Sequence, residues 1–477
     1  MISVTILIST KESNVLQNSK EEKLMKKKLL ALIVAVMMVF ALVACGNGGG
    51  APDAGAADDG AVADTADEED APDAGAAAVD TDVTLTLVMI GDGTLQGELD
   101  RLLEGFTAET GIGVETIFIH AGWGEYVTRV QTMVGGGEQV DVIIMAIEGV
   151  ARIIELGLPV PLDDWIAANA DIVDPILADT NPYHQDIFRD AAGNTYSFPF
   201  SWNNVVMHFN LDRLEEAGLD LPPADWSMQD FIDYAGALTV DEGGQIRYGI
   251  AIPHDQYFVT EAWLIANGAS YMNEDFTEAT INSPAAIEIW QMMQDLIHVY
   301  GYAPIPEPNV STIEQLMNGQ VAMGSWGRWP TANYLASDFH QVAVQFLPTF
   351  SVDTQIVGVD GFFIMQTSDY IAESKQLLSF LSTREFAREY LSVGNIPALI
   401  SLAEEEISAL GLPQNAGVFY EDALTAAFRP VSSPPQFVEI NTIVLTAISE
   451  ILINQADVQT TMDQAAADMN AILEANR

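Results

Sequence analysis

The sequence predicts an α/β fold, and three features of the chain support this prediction. Strand and helix patterns alternate from residue 83 onward, one early strand is a continuous apolar run, and the chain from residue 371 to its end is rich in helical patterns. Such alternation is typical of a parallel, doubly wound sheet with helices on both faces. About 395 residues follow position 82, which is enough for two domains with separate cores.

The first elements set the pattern. Residues 83–90 alternate as a strand does, and a helix follows whose apolar residues recur at helical spacing up to Gly111: Leu95, Leu99, Leu102, Leu103 and Phe106. A second strand is predicted at 114–119 and a helix at 126–133, which ends at the glycines 135–137. The apolar run 140–145 predicts a strand buried on both faces.

The middle of the chain is rich in aromatic residues. Residues 195–210 are strand-like, and a helix is predicted at 211–217, before Pro222 and Pro223. Ser227 is the predicted N-cap of the next helix, with Asp230 at its third position. Further helices are predicted at 285–300 and 311–318, and further strands at 343–346 and 362–365.

Helical patterns dominate the last hundred residues. They cover residues 371–382, 384–392, 399–409, 435–453 and 457–475. The chain contains no internal repeat of solenoid length, which argues against an adhesive or wall-structural array.

The N-terminal segment 1–44 has the composition of a secretion signal. Lys26, Lys27 and Lys28 precede an apolar run at 29–44, which is shorter than the stretch of about 20 residues that a spanning helix needs. The residues before Met25 carry no pattern, and translation could start at Met1 or Met25. Leu42-Val43-Ala44-Cys45 resembles the lipobox of bacterial lipoproteins, which implies lipidation of Cys45 and a membrane anchor on the extracytoplasmic face.

The segment 45–82 then predicts a lipidated cysteine followed by a disordered acidic linker. Residues 46–82 are mostly Gly, Ala, Asp, Glu and Pro, and they contain no Lys, Arg or aromatic residue. Such a composition cannot bury enough apolar surface to offset the entropy of ordering, so we expect an extended spacer.

Composition excludes several classes of partner. The chain has 18 Lys and Arg residues against 68 Asp and Glu residues, which disfavours nucleic acid and anionic membrane surfaces. A single cysteine excludes disulfides and cysteine zinc sites, and the six histidines show no helical metal-site spacing. We expect no metal and no cofactor.

Several segments, taken in order, resemble extracellular solute-binding protein family 1, the sugar-binding receptors of bacterial ABC importers. The segments are DVII at 141–144, ELGLPVPLD at 155–163, TYSFPF at 195–200, HFNLD at 208–212, AGL at 217–219, PPADW at 222–226, MNGQVAMG at 317–324 and VGVDGFFI at 357–364. The alignment is not secure between 401 and 435. The resemblance covers most of residues 83–477.

The resemblance implies a type II periplasmic-binding-protein fold, in which two doubly wound α/β lobes are joined by a hinge and hold ligand in the cleft between them. The N-lobe is expected at 83–200 plus 355–402, and the C-lobe at 201–354 plus 403–477. Ligands of open α/β sheets bind outside the carboxyl ends of the strands, which agrees with such a cleft. The implied partners are a carbohydrate and ABC permease subunits, and we expect a monomer.

A sugar site needs aromatic rings for the sugar face and polar side chains for the hydroxyls. The aromatic candidates are Trp326, Trp329, Trp202, Tyr257 and Trp123. The polar candidates are Asn203, Asp255, Glu148, Asp360 and Arg328, and Gly361 would allow a close backbone approach. Trp326 is the principal candidate because it matches a family tryptophan beyond the "G-x-x-A-M" strand, and its alternative is a core position. The alternative for Arg328 is a surface ion pair.

The remaining expectations concern packing and chemistry. Four tryptophans lie in helical patterns or turns and are predicted to pack in the interior: Trp165, Trp226, Trp263 and Trp290. No nucleophile elbow, phosphate loop or EF-hand loop occurs. Two alternatives stay open at this point: a tethered extracellular glycosidase, which needs two carboxylates beside a bond, and a binding protein for another polar solute.

Overall fold

Two mixed β-sheets flanked by helices make up the computed structural model, which describes residues 83–475 except positions 92, 309, 353, 392–393 and 421–426. The strands are β1 (Thr84–Ile90), β2 (Gly113–Ile119), β3 (Val142–Ala146), β4 (Ser201–Asn203), β5 (Val206–Asn210), β6 (Val240–Asp241), β7 (Ile246–Ile250), β8 (Val321–Trp326), β9 (Val342–Phe346), β10 (Thr354–Ile364), β11 (Ile396–Pro397) and β12 (Ala427–Pro430).

The helices of the first half are α1 (Gln96–Thr110), α2 (Trp123–Gly136), α3 (Ile147–Glu155), α4 (Asp163–Ala168), α5 (Ala170–Ala178), α6 (Pro182–Asp186), α7 (Leu211–Ala217), α8 (Met228–Ala237) and α9 (Tyr257–Ala266). Those of the second half are α10 (Pro284–His298), α11 (Thr312–Met317), α12 (Pro330–Ala336), α13 (Ile371–Leu381), α14 (Arg384–Leu391), α15 (Ile400–Leu410), α16 (Phe437–Leu452) and α17 (Val458–Ala475).

The first sheet has the order β11-β4-β10-β3-β1-β2, and β12 pairs with β10. Strands β1, β2 and β3 pair in parallel, as the alternating pattern predicted. Strand β10 runs antiparallel to both β3 and β4, so the prediction of a parallel sheet holds only for part of it. The reason is topological: β10 returns from the second sheet and enters the first from the opposite end.

The second sheet has the order β6-β7-β8-β5-β9. Strand β5 pairs antiparallel with both β8 and β9, whereas β7 and β8 are parallel. The chain passes from the first sheet to the second between β4 and β5, and it returns between β9 and β10. Both passages lie side by side in the fold, because β4 pairs with β10 and β5 pairs with β9.

Local signals explain where helices begin and end. Helix α1 ends at Gly111, whose left-handed φ of 79° suits a residue without a Cβ atom. The predicted N-cap of α8 is confirmed: the Ser227 hydroxyl accepts from the Asp230 amide, and the Asp230 carboxylate accepts from the Ser227 amide. Helix α9 was not predicted, because its sequence is apolar on nearly every face and therefore shows no periodicity.

Each sheet lies within its own hydrophobic core. The first core joins β1, β2, β3 and β10 to helices α1, α13 and α14. Ala403, Ile407, Val418 and Phe419 also pack in this first core, although the sequence suggested that the second lobe resumes at 403. The second core joins β5 and part of β8 to α9, α10, α16 and α17. The two C-terminal helices therefore belong with the second sheet.

Within the described part of the chain, no helix combines the length and the apolar character needed to cross a bilayer. The predicted signal segment, Cys45 and the acidic linker lie outside the described residues.

Candidate functional site

The two cores meet where helices α2 and α3 touch helix α16. Trp123, at the first position of α2, is partly buried and packs against both cores. Gly124 lies so close to α16 that a Cβ atom there would stand 2.5 Å from Nδ2 of Asn441. Ile147, the first residue of α3, packs in the second core although its helix follows a strand of the first sheet. The two halves of the molecule are therefore in contact at this interface.

Glu148 lies at this interface, in the first turn of α3. It is 4% exposed, and its Oε2 atom has no hydrogen-bond partner among the described residues. Burial raises the pKa of Glu148 to about 8, and the nearby carboxyls of Asp360 and Glu261 raise it further, while a hydrogen bond from its own backbone amide opposes the shift. The side chain is therefore largely protonated at neutral pH.

Asp360 lies on β10, where it pairs with Ala146 of β3 and Ser201 of β4. The Ser201 hydroxyl lies 2.7 Å from both carboxyl oxygens, and Nδ2 of Asn395 donates to Oδ2 at 3.4 Å. Burial raises the pKa of Asp360 to about 7, and the hydrogen bonds from Ser201 and Asn395 oppose this shift. Asp360 thus has polar partners of its own at the point where the chain passes between the sheets.

Glu261 of α9 is the third buried carboxyl near Glu148, and the sequence analysis did not single it out. Its oxygens accept from the amides of Tyr271 and Ser432 and from the hydroxyls of Ser270 and Ser432. Burial raises its pKa, and these hydrogen bonds oppose the shift. Glu261 links α9 to the segment after β12 through these hydrogen bonds, and both of its carboxyl oxygens take part in them.

Trp329 and Phe258 form an aromatic pair beside the passages between the sheets. Their ring centroids lie 6.4 Å apart at an angle of 51°, and both side chains are partly buried. Phe258 also lies against Gly358 of β10, where a Cβ atom would stand 3.1 Å from the ring. Trp329 was predicted as a ligand residue, whereas Phe258 was not.

Asn203 joins the first passage to the turn that carries Trp329. Its Oδ1 atom accepts a hydrogen bond of 3.0 Å from the backbone amide of Arg328. A Cβ atom at Gly327 would stand 2.8 Å from the same Oδ1, so this close approach favours glycine at 327. Asn203 is 8% exposed. In this structure it supports the turn before Trp329.

Arg328 does not form the surface ion pair that was its alternative role, because it is buried. It is fully buried, and its Nη1 donates to the carbonyl oxygens of Leu391, Gly394 and Asn395 at 2.8 to 3.0 Å. Burial lowers its pKa to about 9. The guanidinium ties the turn after β8 to the segment between α14 and β11.

Trp326 is 3% exposed and packs in a third core with residues such as Leu316, Tyr334 and Val342. Its ring stands edge-on to His208 at 5.5 Å and covers Gly324, where a Cβ atom would meet the ring at 2.1 Å. This position agrees with the core alternative. The strand alternation explains it, because residues 324 and 326 point to the same face of β8.

His208 supports the same region from β5. Its Nε2 lies 3.0 Å from the carbonyl oxygen of Gly327 and its Nδ1 lies 3.0 Å from the hydroxyl of Tyr334. A carbonyl only accepts, so Nε2 carries the proton and Nδ1 accepts from Tyr334. Burial lowers the pKa of His208 to about 3, which keeps the ring neutral.

Three further sequence candidates are Tyr257, Asp255 and Gly361. Tyr257 is buried in the second core, and its hydroxyl donates to the carbonyl of Ser432 at 2.9 Å. Asp255 is exposed on the loop before α9. Gly361 is buried, and a Cβ atom there would stand 2.4 Å from the carbonyl oxygen of Phe198, so its close approach is to the chain itself.

Trp202 of β4 packs in the first core. Its ring lies 5.6 Å from His184 and 6.0 Å from Phe428. Both ring nitrogens of His184 are buried without a partner among the described residues, and burial lowers its pKa to about 4. The predicted packing roles of other tryptophans are confirmed for Trp226, Trp263 and Trp290, which are fully buried, whereas Trp165 is partly buried against the first core.

A separate cavity of 170 Å³ lies in the N-lobe, between α4, α6 and residues 195–199. Its polar side chains already have partners: Gln185 donates to the carbonyl of Leu177, and Asp163 accepts from the amide of Thr195. The interface is the better candidate site, because Glu148 there has a buried oxygen without a partner.

Helix geometry explains why Phe258 was missed. Neighbouring residues on a helix point about 100° apart, so the turn of α9 that buries Tyr257 directs Phe258 to the other core-facing edge, beside β10 and Trp329. Glu261, one turn further on, follows Tyr257 into the interior. No periodic signal in this apolar helix distinguishes these faces.

Comparisons with known proteins agree with the fold. Residues 91–387 match the family described as bacterial extracellular solute-binding protein. An arabinooligosaccharide-binding protein of Halalkalibacterium halodurans is 25% identical over 236 residues, which are 46% of this chain and 51% of the relative.

Two solved structures share the fold at low sequence identity. An ABC substrate-binding protein of Listeria monocytogenes in complex with cycloalternan has a TM-score of 0.74 and 22% identity, covering 82% of this chain and 99% of that one. An ABC transporter solute-binding protein of Thermotoga lettingae bound to α-D-tagatose has a TM-score of 0.72 and 18% identity, covering 82% and 100%. The two-lobed type II architecture expected from the sequence is confirmed.

Proposed function

Because this chain belongs to the bacterial extracellular solute-binding protein family, we propose that it captures a carbohydrate outside the cytoplasm and delivers it unaltered to an ABC permease. The relative from Halalkalibacterium halodurans is named for an arabinooligosaccharide, and the two structural neighbours hold cycloalternan and tagatose. The observation that carries the proposal is the combination of partly buried aromatic rings and an unpartnered carboxyl oxygen at one interface between the lobes.

We assign the ligand contacts to the residues of this interface that keep some exposure or free bonding capacity. Trp329 and Phe258 would stack on sugar rings, Trp123 would face them from α2, and Glu148 would hydrogen-bond a hydroxyl. Asp360, whose oxygens both accept from Ser201, and Asn203, whose Oδ1 accepts from the Arg328 amide, lie beside these groups and would contribute further hydrogen bonds. Trp326, Tyr257, Trp202, Arg328 and Gly361 support the site by packing.

The proposed mechanism is closure of the lobes around the ligand. A sugar that touches α2 and α3 on one side and Trp329 on the other binds the closed form better than the open form, so it shifts the population towards closure. The passages β4 to β5 and β9 to β10 would form the hinge. Ala403, Ile407, Val418 and Phe419 pack in the first core, so we place the later lobe boundary after 419 and not at 403.

We further propose that the protein is held at the extracytoplasmic face of the membrane by lipid on Cys45, and that the linker 46–82 separates it from the bilayer. Two acyl chains hold a protein stably on a membrane, whereas one gives only marginal binding. Replacing Cys45 by Ala should move the protein from the membrane fraction to the medium. Retention of the variant in the membrane fraction would contradict a lipid anchor at this position.

The function is tested with purified protein and a panel of uncharged mono- and oligosaccharides. A ligand that binds only the native state raises the melting temperature, and calorimetry should then give one site per monomer. Small-angle scattering should show a more compact particle with that ligand, and chromatography should recover the sugar intact. Progressive cleavage of the sugar would favour the glycosidase alternative. Failure of every carbohydrate to bind would favour another polar solute.

A further inference from the structure

The unpartnered oxygen of Glu148 restricts the chemistry of the ligand. Buried polar atoms almost always have a hydrogen-bond partner, and an exception in a native structure requires an explanation. Oε2 of Glu148 is such an exception, in a side chain that is 96% buried at the contact between α3 and the second lobe. A bound molecule that supplies the missing hydrogen bond explains it.

The ionisable groups that act on Glu148 are carboxyls. Burial is the main cause of its raised pKa, Asp360 of β10 and Glu261 of α9 raise it further, and Glu148 in turn contributes to the raised pKa of the buried Tyr257 phenol. These groups come from both lobes, so closure brings them around the same space. No arginine or lysine among the described residues contributes to the shift of any of the three carboxyls.

The arginine that the sequence analysis proposed for binding a negatively charged sugar is engaged with the chain itself. Arg328 was the sequence candidate for binding a uronate carboxylate, but its Nη1 donates to three backbone carbonyls. Lys375, the single lysine beyond Lys28, lies on α13 in the first lobe. Among the described residues, no group of three His, Asp or Glu side chains is placed to hold a metal ion.

We propose that the ligand is an uncharged sugar, one hydroxyl of which hydrogen-bonds Oε2 of Glu148, and that the site rejects sugars bearing a carboxylate or phosphate. This inference rests on the proposed function. A protonated carboxyl can both donate to and accept from a hydroxyl, whereas a buried anion would lose its hydration with no arginine or lysine acting on Glu148, Asp360 or Glu261 to compensate. The raised pKa of Glu148, about 8, agrees with a protonated partner.

The experiment compares matched sugars that differ in charge. Calorimetry at pH 6.5 is run with di- and trisaccharides of glucose and galactose, with the corresponding amino sugars, and with digalacturonate and trigalacturonate. We expect an uncharged sugar to bind and its uronate counterpart to bind at least about 100-fold more weakly. Equal binding of the uronate would overturn the charge rule and leave the proposed function intact. Binding of no carbohydrate in this panel or the wider uncharged panel would overturn both.

Two variants test the role of Glu148 itself. Glu148→Gln keeps the shape and a donor, so the uncharged sugar should bind within about fivefold of wild type. Glu155→Gln, an exposed position on the same helix, is the control and should change nothing. A loss of more than about 100-fold in Glu148→Gln, or a preference for the amino sugar, would show that an ionised carboxylate is needed and overturn the proposal. The uronate comparison with wild-type protein does not depend on the variant folding.

Discussion

The backbone amide of Arg328 donates a hydrogen bond of 3.0 Å to the side-chain oxygen of Asn203. Asn203 ends the strand that leaves the first sheet, and Arg328 lies in the turn after a strand of the second sheet. The guanidinium of the same arginine donates hydrogen bonds to the carbonyls of Leu391, Gly394 and Asn395. Arg328 therefore connects the passage between the lobes with the first lobe, next to the proposed stacking residue Trp329.

Replacing Arg328 by Met should destabilise the protein strongly. The change leaves three buried carbonyl oxygens without their shared donor, so we expect a loss of about 3 to 5 kcal/mol in the free energy of unfolding. Urea unfolding measures this loss.

The matched control is Arg129→Met. Arg129 forms an exposed pair with Glu125 four residues earlier on α2, and such pairs contribute about 0.5 kcal/mol or less. Equal midpoints for the two variants would contradict the structural role of Arg328.

The two tryptophans on either side of Gly327 should differ in what they affect. Trp329→Ala should weaken binding of an identified sugar at least about tenfold, which is about 1.4 kcal/mol, with a small change in stability. Trp326→Ala removes a ring from the third core, so it should reduce the free energy of unfolding by about 3 to 5 kcal/mol.

Calorimetry and urea unfolding of both variants separate these effects. A tenfold loss of affinity in Trp326→Ala with unchanged stability would restore Trp326 as the ligand platform. It would also contradict its placement in the core.

The buried His208 should make the protein less stable in acid. Its pKa is about 3 in the folded state, below the ordinary value of 6.5, so the unfolded chain binds more protons between these values and stability falls as the pH decreases below 6.5. The slope approaches about 1.4 kcal/mol per pH unit. His208→Gln cannot be protonated and can still donate to the Gly327 carbonyl.

The difference in unfolding free energy between wild type and His208→Gln should therefore change from pH 7 to pH 4.5 in favour of the variant. His340→Gln, at an exposed position, serves as the control. Parallel pH curves for wild type and His208→Gln would show that His208 is not the buried neutral group described here.

Two glycines provide opposite expectations for the same substitution. Gly361→Ala forces a methyl group to within 2.4 Å of the Phe198 carbonyl oxygen, so we expect a loss of about 1 to 3 kcal/mol. Gly105→Ala lies in the middle of α1 with no atom near the new methyl group, and it should stabilise by up to about 1 kcal/mol. Thermal unfolding that moves in the same direction for both would contradict the close packing at Gly361.

Part of the fold followed from local signals. The strand and helix succession from β1 to β3, the cap at Ser227 and the buried Trp226, Trp263 and Trp290 agree with their predicted places. The antiparallel direction of β10 and the existence of α9 did not follow. The direction of β10 depends on the route of the chain between the sheets, which local patterns do not show. Helix α9 is apolar on nearly every face, so its sequence has no helical periodicity.

The candidate site shows the same division. The segments that line the interface were predicted, including the residues after β3 and the turn with Trp329. Which of two nearby residues in a segment faces the interface was not predicted. Trp329 is partly exposed, whereas Trp326 is buried. Phe258 contacts Trp329, whereas Tyr257 packs in the core. The side chains of neighbouring residues point in different directions, so the position of a segment does not by itself decide which residue faces the interface.

Composition and short patterns were sufficient to indicate the α/β class, the secretion signal and the lack of a basic surface for anionic partners, because these properties depend on residue types and local spacing. Which carboxyl lacks a partner, which arginine is buried and which aromatic ring faces the interface depended on packing between segments far apart in the chain. Glu148 owes its raised pKa first to burial and further to Asp360 and Glu261, more than a hundred residues away, and only the folded chain brings those groups together.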